Sequence, residues 1–255
     1  MNRLLAEAAQ PKGSFSITRL DPAVNRTAFQ TTAPHALFAP LHYEPNYAYP
    51  LVVWLHGEGG NERQLLKVMP HVSMRNYVAA GVRGILPCAD RNGHAWEQSE
   101  SCIAAAEQRV HDVIGAAAAR FHVNSARVFL AGYEAGGTMA LRLALRNPRR
   151  FAGAASIGGG FPTGGMPLAN LYSLRSLPLL LAYARDSATY SLDEITEELP
   201  LFHSAGLKMN IRQYPCGDEL TTQMLSDLDA WMMEQVTGIP ASCDEVAVPV
   251  HGDWN

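Results

Sequence analysis

The sequence predicts an α/β fold, in which a mostly parallel sheet carries helices on both of its faces. Segments with strand character alternate with helical segments from residue 51 onward, and this alternation is typical of parallel strands joined by right-handed crossovers. Several strand segments are continuously apolar, such as LVVWL at 51–55 and LLLAYA at 179–184, which is expected of strands covered on both faces. The 255 residues suffice for one large core, so a single domain over residues 1–255 is predicted.

The first part of the chain is predicted to be extended. Residues 14–20 (SFSITRL) alternate polar and apolar side chains, as a half-buried edge strand does. A second extended segment is predicted over 28–39, and residues 1–35 are interpreted as an N-terminal extended segment. The turn-rich stretch 42–50 then leads into the buried strand at 51–55.

The elements that follow are predicted from apolar periodicity and from helix-capping residues. A long Ala-rich helix is expected over 99–121, with Ser99 or Ser101 as its N-cap. The other predicted helices are 61–69, 136–147, 191–205 and 220–236, and the other predicted strands are 77–82, 127–133, 151–157, 177–184 and 209–214. Residues 238–255 show no periodicity, and an irregular C-terminal tail is expected there.

Composition argues against several classes of function. The formal net charge is −4, and no basic stripe is available to neutralise phosphates, so nucleic-acid binding is not expected. No stretch approaches the roughly 20 apolar residues that span a bilayer, and residues 1–14 lack the apolar segment of a signal peptide. The four cysteines have no metal-like spacing, which favours free thiols in a reducing compartment. We therefore expect a cytoplasmic protein that spans no membrane and needs no cofactor.

The most informative motif is GYEAGG at 132–137. An apolar run precedes it and a helix-like stretch follows it, which is the strand–sharp turn–helix pattern of the nucleophile elbow G-x-S-x-G. Its glycines allow the strand and the helix to approach closely. Glu134 stands at the tip, where the pattern has a serine. A carboxylate offers different and usually poorer chemistry for acyl transfer than an activated hydroxyl does.

Three motifs together resemble the α/β-hydrolase fold, and within it the phospholipase/carboxylesterase family, which includes esterase D and acyl-thioesterase-like enzymes. LVVWLHGEGGNE at 51–62 is similar to a strand followed by the oxyanion loop HGxGG, and GYEAGG is similar to the elbow. A strand ending in an acid and a later strand–loop then follow in the chain order nucleophile, acid, histidine that is typical of the fold. The resemblance extends over about residues 36–237 and implies an α/β-hydrolase fold.

The resemblance also assigns the three triad positions. Asp186, which follows the strand 177–184, matches the acid. Asp218, in PCGDE at 215–219, stands where the family has its histidine, and Glu134 stands where it has its serine. Because the nucleophile and the base are both replaced, these three residues are not expected to form a working triad.

The backbone of the oxyanion hole does not depend on those side chains. The N–H groups of Glu58 or Gly59 and of Ala135 are expected to converge, and the hole is then expected to bind the Glu134 carboxylate itself. His56 is expected to order the oxyanion loop by hydrogen bonding, and Trp96 to line a retained pocket. His56 is assigned to the same pocket.

The function predicted from these residues is that of a non-catalytic hydrolase relative, which binds an ester-like small molecule or a protein partner. Three alternatives stay open. One is an active carboxylesterase or thioesterase with a rearranged catalytic set. Another uses Glu134 as a carboxylate nucleophile, which needs a base to release its ester. The third is a metal-dependent hydrolase in which Glu134, Asp186 and Asp218 converge on a cation near His94, although the spacing matches no known ligand motif and no metal ligands are assigned.

Overall fold

A computed structural model of the protein describes residues 33–88, 93–165, 168–169, 171–190 and 192–239. The predicted strand at 14–20, nearly all of the N-terminal segment 1–35 and most of the tail 238–255 lie outside these described residues. The single-domain assignment for the whole chain therefore stays a prediction.

The described elements alternate between strands and helices over most of the chain. The strands are β1 (His35–Phe38), β2 (Tyr49–Leu55), β3 (Val78–Val82), β4 (Leu86–Pro87), β5 (His94–Ala95), β6 (Val123–Tyr133), β7 (Gly153–Ile157), β8 (Pro178–Ala184) and β9 (Lys208–Tyr214). The helices are α1 (Gln64–Val72), α2 (Glu100–Arg120), α3 (Ala135–Arg146), α4 (Leu171–Leu174), α5 (Leu192–Ala205) and α6 (Thr222–Thr237).

Seven of the described strands form one sheet in the order β1-β3-β2-β6-β7-β8-β9. Strand β1 runs antiparallel to β3 at one edge, and every other neighbouring pair is parallel. All residues of β2, β3 and β7 are buried, as the continuously apolar runs in the sequence predicted. The mostly parallel sheet is therefore confirmed.

Helices cover both faces of this sheet. Side chains of α2, α3 and α5 share one apolar cluster with Leu51, Val53 and Leu55 of β2. Side chains of α1 and α6 share a second cluster with Val52 and Trp54 of the same strand. The alternation along β2 thus divides its side chains between two cores, as the pleat of a strand requires. Within the described part of the chain, no helix combines the length and the apolar character needed to cross a bilayer.

Some element boundaries differ from those predicted. Helix α1 begins at Gln64 and not at 61, because Gln64 and Leu66 donate to carbonyls three residues earlier, in a tighter turn. Strand β6 begins at Val123 and not at 127, since Val123 pairs with Tyr49 across a bulge. The β4–β5 ribbon and α4 were not predicted, because elements of two to four residues are too short to show a hydrophobic period.

The turn between β6 and α3 packs directly against the end of β2. A Cβ atom on Gly136 would lie 2.2 Å from the carbonyl oxygen of His56 and 2.5 Å from that of Leu55. Real Cβ atoms do not approach backbone oxygens so closely, so only glycine fits at this position. This contact fixes the distance between the start of α3 and the loop that follows β2.

Gly136→Ala should therefore destabilise the fold. The added methyl group meets the backbone of Leu55 and His56, and overpacking of this kind costs roughly 1–3 kcal/mol. Urea unfolding followed by circular dichroism measures the loss. Gly217→Ala is the matched control, because its Cβ would meet only the end of the Glu219 side chain at 3.0 Å. Equal stability of the two variants would contradict the close approach.

Candidate functional site

Glu134 lies at the tip of the turn between β6 and α3. Its backbone has φ 49° and ψ −127°, a left-handed region that non-glycine residues rarely adopt. Such a conformation costs about 1–3 kcal/mol and persists only where its surroundings hold it. Here the Glu134 N–H donates to the Ile157 carbonyl at 2.8 Å, and the Glu134 carbonyl accepts from the Thr138 N–H at 3.1 Å. The backbone therefore holds the tip residue in a strained turn.

The Glu134 carboxylate reaches across to the loop that follows β2. Its Oε2 atom accepts a hydrogen bond from the Glu58 N–H at 3.0 Å. The same side chain makes no cap hydrogen bond to its own helix α3, although a negative charge beside a helix N-terminus is favourable. Among the described residues, neither the Gly59 nor the Ala135 N–H donates to this carboxylate. The carboxylate is thus bound by one of the two amides expected to converge on it, that of Glu58, and not by that of Ala135.

A partly buried hydrogen-bond network orders residues 56–60, a segment that resembles an oxyanion loop in sequence and that we call the oxyanion loop. The Gly57 N–H donates to Gln64 Oε1 at 3.2 Å, and the Trp54 indole donates to the same oxygen at 2.8 Å. Farther along, the His94 N–H donates to the Gly60 carbonyl at 2.7 Å. The loop is therefore attached to β2, to α1 and to the β4–β5 ribbon.

His56 begins this loop, and Trp96 packs against it. His56 is 0% exposed and Trp96 is 6% exposed, and the Trp96 indole donates to the His56 carbonyl at 2.8 Å. The sequence-based expectation placed both side chains in a ligand pocket. The structure buries both side chains. The His56 ring hydrogen-bonds Gly57 and Gly84, which is the loop-ordering role expected for it.

The ring of His56 is held in one protonation state. Nδ1 lies 2.7 Å from the Gly57 carbonyl oxygen, and Nε2 lies 2.8 Å from the Gly84 N–H. A carbonyl can only accept and an N–H can only donate, so Nδ1 carries the proton and Nε2 is the acceptor. Burial lowers the pKa of His56, mainly through loss of hydration. The imidazole is therefore neutral, and its lone pair is already bonded.

Asp218 follows β9 and is bound by the loop that follows β8. Its carboxylate accepts hydrogen bonds from the Ser187 hydroxyl and, at 3.0 Å, from the Ala188 N–H. These donors, with the hydroxyl as the larger effect, hold the pKa of Asp218 below its ordinary value. The Tyr133 hydroxyl also donates to the Asp218 backbone carbonyl. The residue before the elbow tip therefore contacts the loop that follows β9.

Asp186 points elsewhere. Its carboxylate pairs with the guanidinium of Arg185 at 3.0 and 3.1 Å, and its side chain is 58% exposed. The hydrogen bonds from Arg185 lower the pKa of Asp186. The three triad-equivalent residues therefore do not converge. Within the described residues, no group of three or more histidine, cysteine, aspartate or glutamate side chains is arranged to hold a metal ion.

A small recess adjoins the carboxylate of Glu134, and we name it the elbow recess. Its described lining residues come from the elbow, the ends of β7, β8 and β9, and α6: they are Tyr133, Glu134, Ile157, Gly158, Ala184, Gly217, Asp218, Glu219 and Met224. Its volume is only about 10 Å³, which is close to the space of one water molecule. Glu134 and Asp218 thus share a recess that has no room for an ester.

Known proteins are similar to this chain in sequence and in fold. The sequence model of the phospholipase/carboxylesterase family matches residues 86–234. The chain belongs to the phospholipase/carboxylesterase family. The Arabidopsis thaliana protein named "Probable carboxylesterase SOBER1-like" is 24% identical over 148 residues, which are 57% of this chain and 56% of that protein. The chain thus matches little more than half the length of this relative.

Solved structures of other proteins share the fold. The carboxylesterase of Bacillus cereus matches 81% of this chain and 96% of its own chain, with a TM-score of 0.64 and 20% identity. Acyl-protein thioesterase 2 of Zea mays matches 80% of this chain and 99% of its own, with a TM-score of 0.60 and 16% identity. The α/β-hydrolase fold predicted from the sequence is confirmed.

The Tyr133 phenol and the Cys216 thiol, which lie near the elbow recess, are poor nucleophiles at neutral pH. Burial and the neighbouring charge of Glu134 raise the pKa of the Tyr133 phenol. Burial and three nearby carboxylates, with burial the larger cause, raise the pKa of the Cys216 thiol. Among the described lining residues, none carries an imidazole. Neither a phenolate nor a thiolate is therefore favoured beside Glu134.

Tyr133 and Ser187, which bind the loop that contains Asp218, were not predicted from the sequence. Tyr133 lies inside the elbow motif, and its aromatic ring next to the tip was an available signal. Ser187 directly follows Asp186, but its role depends on the direction of a side chain in a loop, which sequence spacing does not give. Arg185, the residue before Asp186, pairs with that carboxylate.

Ser187→Ala should raise the pKa of Asp218. The variant removes the hydroxyl that donates to the carboxylate, and losing a donor to the charged form disfavours that form. A carbon-13 NMR titration of the Asp218 carboxyl group measures the shift. Ser173→Ala is the control, since Ser173 makes no contact with this loop among the described hydrogen bonds. An Asp218 pKa that is the same in wild type and Ser187→Ala would contradict the assignment.

Proposed function

We propose that this chain is a non-catalytic member of the phospholipase/carboxylesterase family, in which the carboxylate of Glu134 occupies the oxyanion site. The hydrogen bond from the Glu58 N–H to Glu134 Oε2, at 3.0 Å, carries the proposal. In an active esterase, donors of this kind stay open for the negative charge that develops on the substrate oxygen. Here one such donor is already bound by an anion that belongs to the protein.

A resident carboxylate also opposes catalysis through its charge. Two unit charges 4 Å apart repel by about 4 kcal/mol at an effective dielectric constant of about 20. A penalty of that size on the transition state corresponds to roughly a thousandfold loss in rate. Asp218 and Glu219 border the same elbow recess and add to the negative potential.

Proton transfer lacks a suitable base as well. A general base works best when its pKa lies near the operating pH, whereas hydrogen bonds from Ser187 and Ala188 lower the pKa of Asp218. Asp186, at the acid position, is paired with Arg185. Release of an ester formed on Glu134 would need an imidazole or an equivalent group to activate water, so a carboxylate-nucleophile reaction is not favoured by these contacts.

We infer that the fold binds a ligand or a protein partner instead of catalysing hydrolysis. The ligand would be an ester-like small molecule or a protein partner. The elbow recess, with a volume of about 10 Å³, is too small for such a ligand, which supports a binding surface elsewhere on the domain. A rearranged hydrolase and a metal-dependent hydrolase are the outcomes that the following experiment would reveal.

Wild type and Glu134→Ala should hydrolyse p-nitrophenyl acetate and butyrate no faster than the buffer does. Glu134→Ser should be equally inactive, because the hydroxyl has no base. Glu134→Ser/Asp218→His restores both groups and should give measurable turnover. Absorbance of released p-nitrophenol provides the rates.

Glu219→Gln is the matched control, since it removes a carboxylate from the rim of the same recess and leaves the elbow unchanged. Wild-type turnover that disappears in Glu134→Ala but persists in Glu219→Gln would overturn the proposal. Turnover that falls on addition of a chelator would instead identify a metal-dependent hydrolase.

A further inference from the structure

A larger cavity lies away from the elbow recess, between the segment that follows β7 and helix α5. We name it the apolar groove. Its volume is about 540 Å³, within the range of roughly 300–1,000 Å³ that small-molecule sites occupy. Its apolar lining side chains include Phe161, Pro162, Leu168 and Leu201.

Hydrogen bonds from α3 fix one wall of this groove. The Thr138 hydroxyl donates to the Gly160 carbonyl at 2.9 Å. The guanidinium of Arg142 donates to the carbonyls of Thr163 and Gly164, the latter at 2.6 Å. Arg142 is only 2% exposed, and its guanidinium is fully engaged, since its Nε also donates to Gln98 Oε1 at 3.0 Å. The wall is therefore preformed, which reduces the entropy cost of binding.

The opposite wall carries one carboxyl group, that of Glu198 on α5. The hydroxyl of the buried Tyr190 donates to its Oε2 atom, which leaves Oε1 as an acceptor. Burial raises the pKa of Glu198, the hydrogen bond from Tyr190 opposes this effect, and the charge of Glu194 adds to it. The described lining residues include no lysine, arginine or histidine. A half-buried acid thus faces an apolar space without a basic partner in that lining.

The surroundings of Glu198 are also acidic. Helix α5 carries acidic side chains at Asp193, Glu194, Glu197 and Glu198, and its single basic residue is His203 in the last turn. A negative surface beside an apolar groove attracts cations and repels anions.

We propose that the apolar groove binds a small amphiphile that has an apolar body and a protonated amine, with the amine paired to Glu198. The apolar body fills the space between Phe161 and Leu201. Keeping the Glu198 carboxylate charged in a half-buried position costs free energy, and a paired ammonium group offsets that cost. A neutral alcohol or ester does not offset it. An anionic ligand would be repelled by Glu198 and Glu194. This site does not depend on the role of Glu134.

Isothermal titration calorimetry at pH 7.5 and low salt tests the proposal with three probes that share one alkyl chain: n-octylamine, n-octanol and n-octanoate. The amine should bind about tenfold more tightly than the alcohol, because only the amine gains a partly buried charge pair. Octanoate should bind more weakly than octanol.

Glu198→Gln should lower the affinity for n-octylamine about tenfold and leave that for n-octanol unchanged. Glu197→Gln is the matched control, because Glu197 is an exposed neighbour on the same helix and should keep the wild-type preference. Leu201→Trp should fill the groove and weaken all three probes, provided that its circular dichroism spectrum and melting temperature match those of wild type.

Several results would overturn the proposal. They are equal affinity for the amine and the alcohol, tighter binding of octanoate, no binding of any probe, or equal effects of Glu198→Gln and Glu197→Gln. Unchanged amine affinity in a folded Leu201→Trp variant would place the binding site elsewhere. None of these results bears on ester hydrolysis, so the outcome is independent of the role assigned to Glu134.

Discussion

The site depends on one backbone contact, the close approach of the elbow to the end of β2. Gly136 lies against the carbonyls of Leu55 and His56 with no space for a methyl group. The oxyanion loop leaves β2 at this point, and Glu134 precedes α3 at the same point. The Glu58 N–H and the Glu134 carboxylate therefore meet as a consequence of backbone geometry. A change of residue at the tip of the turn alters the chemistry and leaves this geometry in place.

The carboxylates of the site are each held by their own donors. Glu134 accepts from the Glu58 N–H, Asp218 accepts from the loop after β8, and Asp186 pairs with Arg185. Such an arrangement lets three acids lie on neighbouring loops without an imidazole between them, since each charge is stabilised locally. A catalytic site instead keeps donors and bases available for groups that form during the reaction. At Glu134 the strained backbone thus occurs beside a donor that the protein's own carboxylate already binds.

The sequence predicted the parts of the fold that depend on periodicity and on backbone motifs. The apolar runs of β2 and β8 indicated buried parallel strands, and the spacing of glycines around Glu134 indicated a sharp turn. The side-chain partners were harder to predict, because they depend on rotamers and on loop paths. Asp186 is in the expected loop, yet its rotamer directs it to Arg185. His56 orders its loop by hydrogen bonding, as expected, but it and Trp96 are buried and are not among the described lining residues of the elbow recess.

We propose that Glu134 occupies the oxyanion site through the Glu58 N–H. The most direct measurement is the proton chemical shift of the Glu58 amide, compared between wild type and Glu134→Ala. A charge-assisted hydrogen bond is short and strong. We therefore expect the Glu58 amide proton to resonate downfield in wild type and to move upfield in Glu134→Ala. An identical Glu58 amide shift in the two proteins would contradict it.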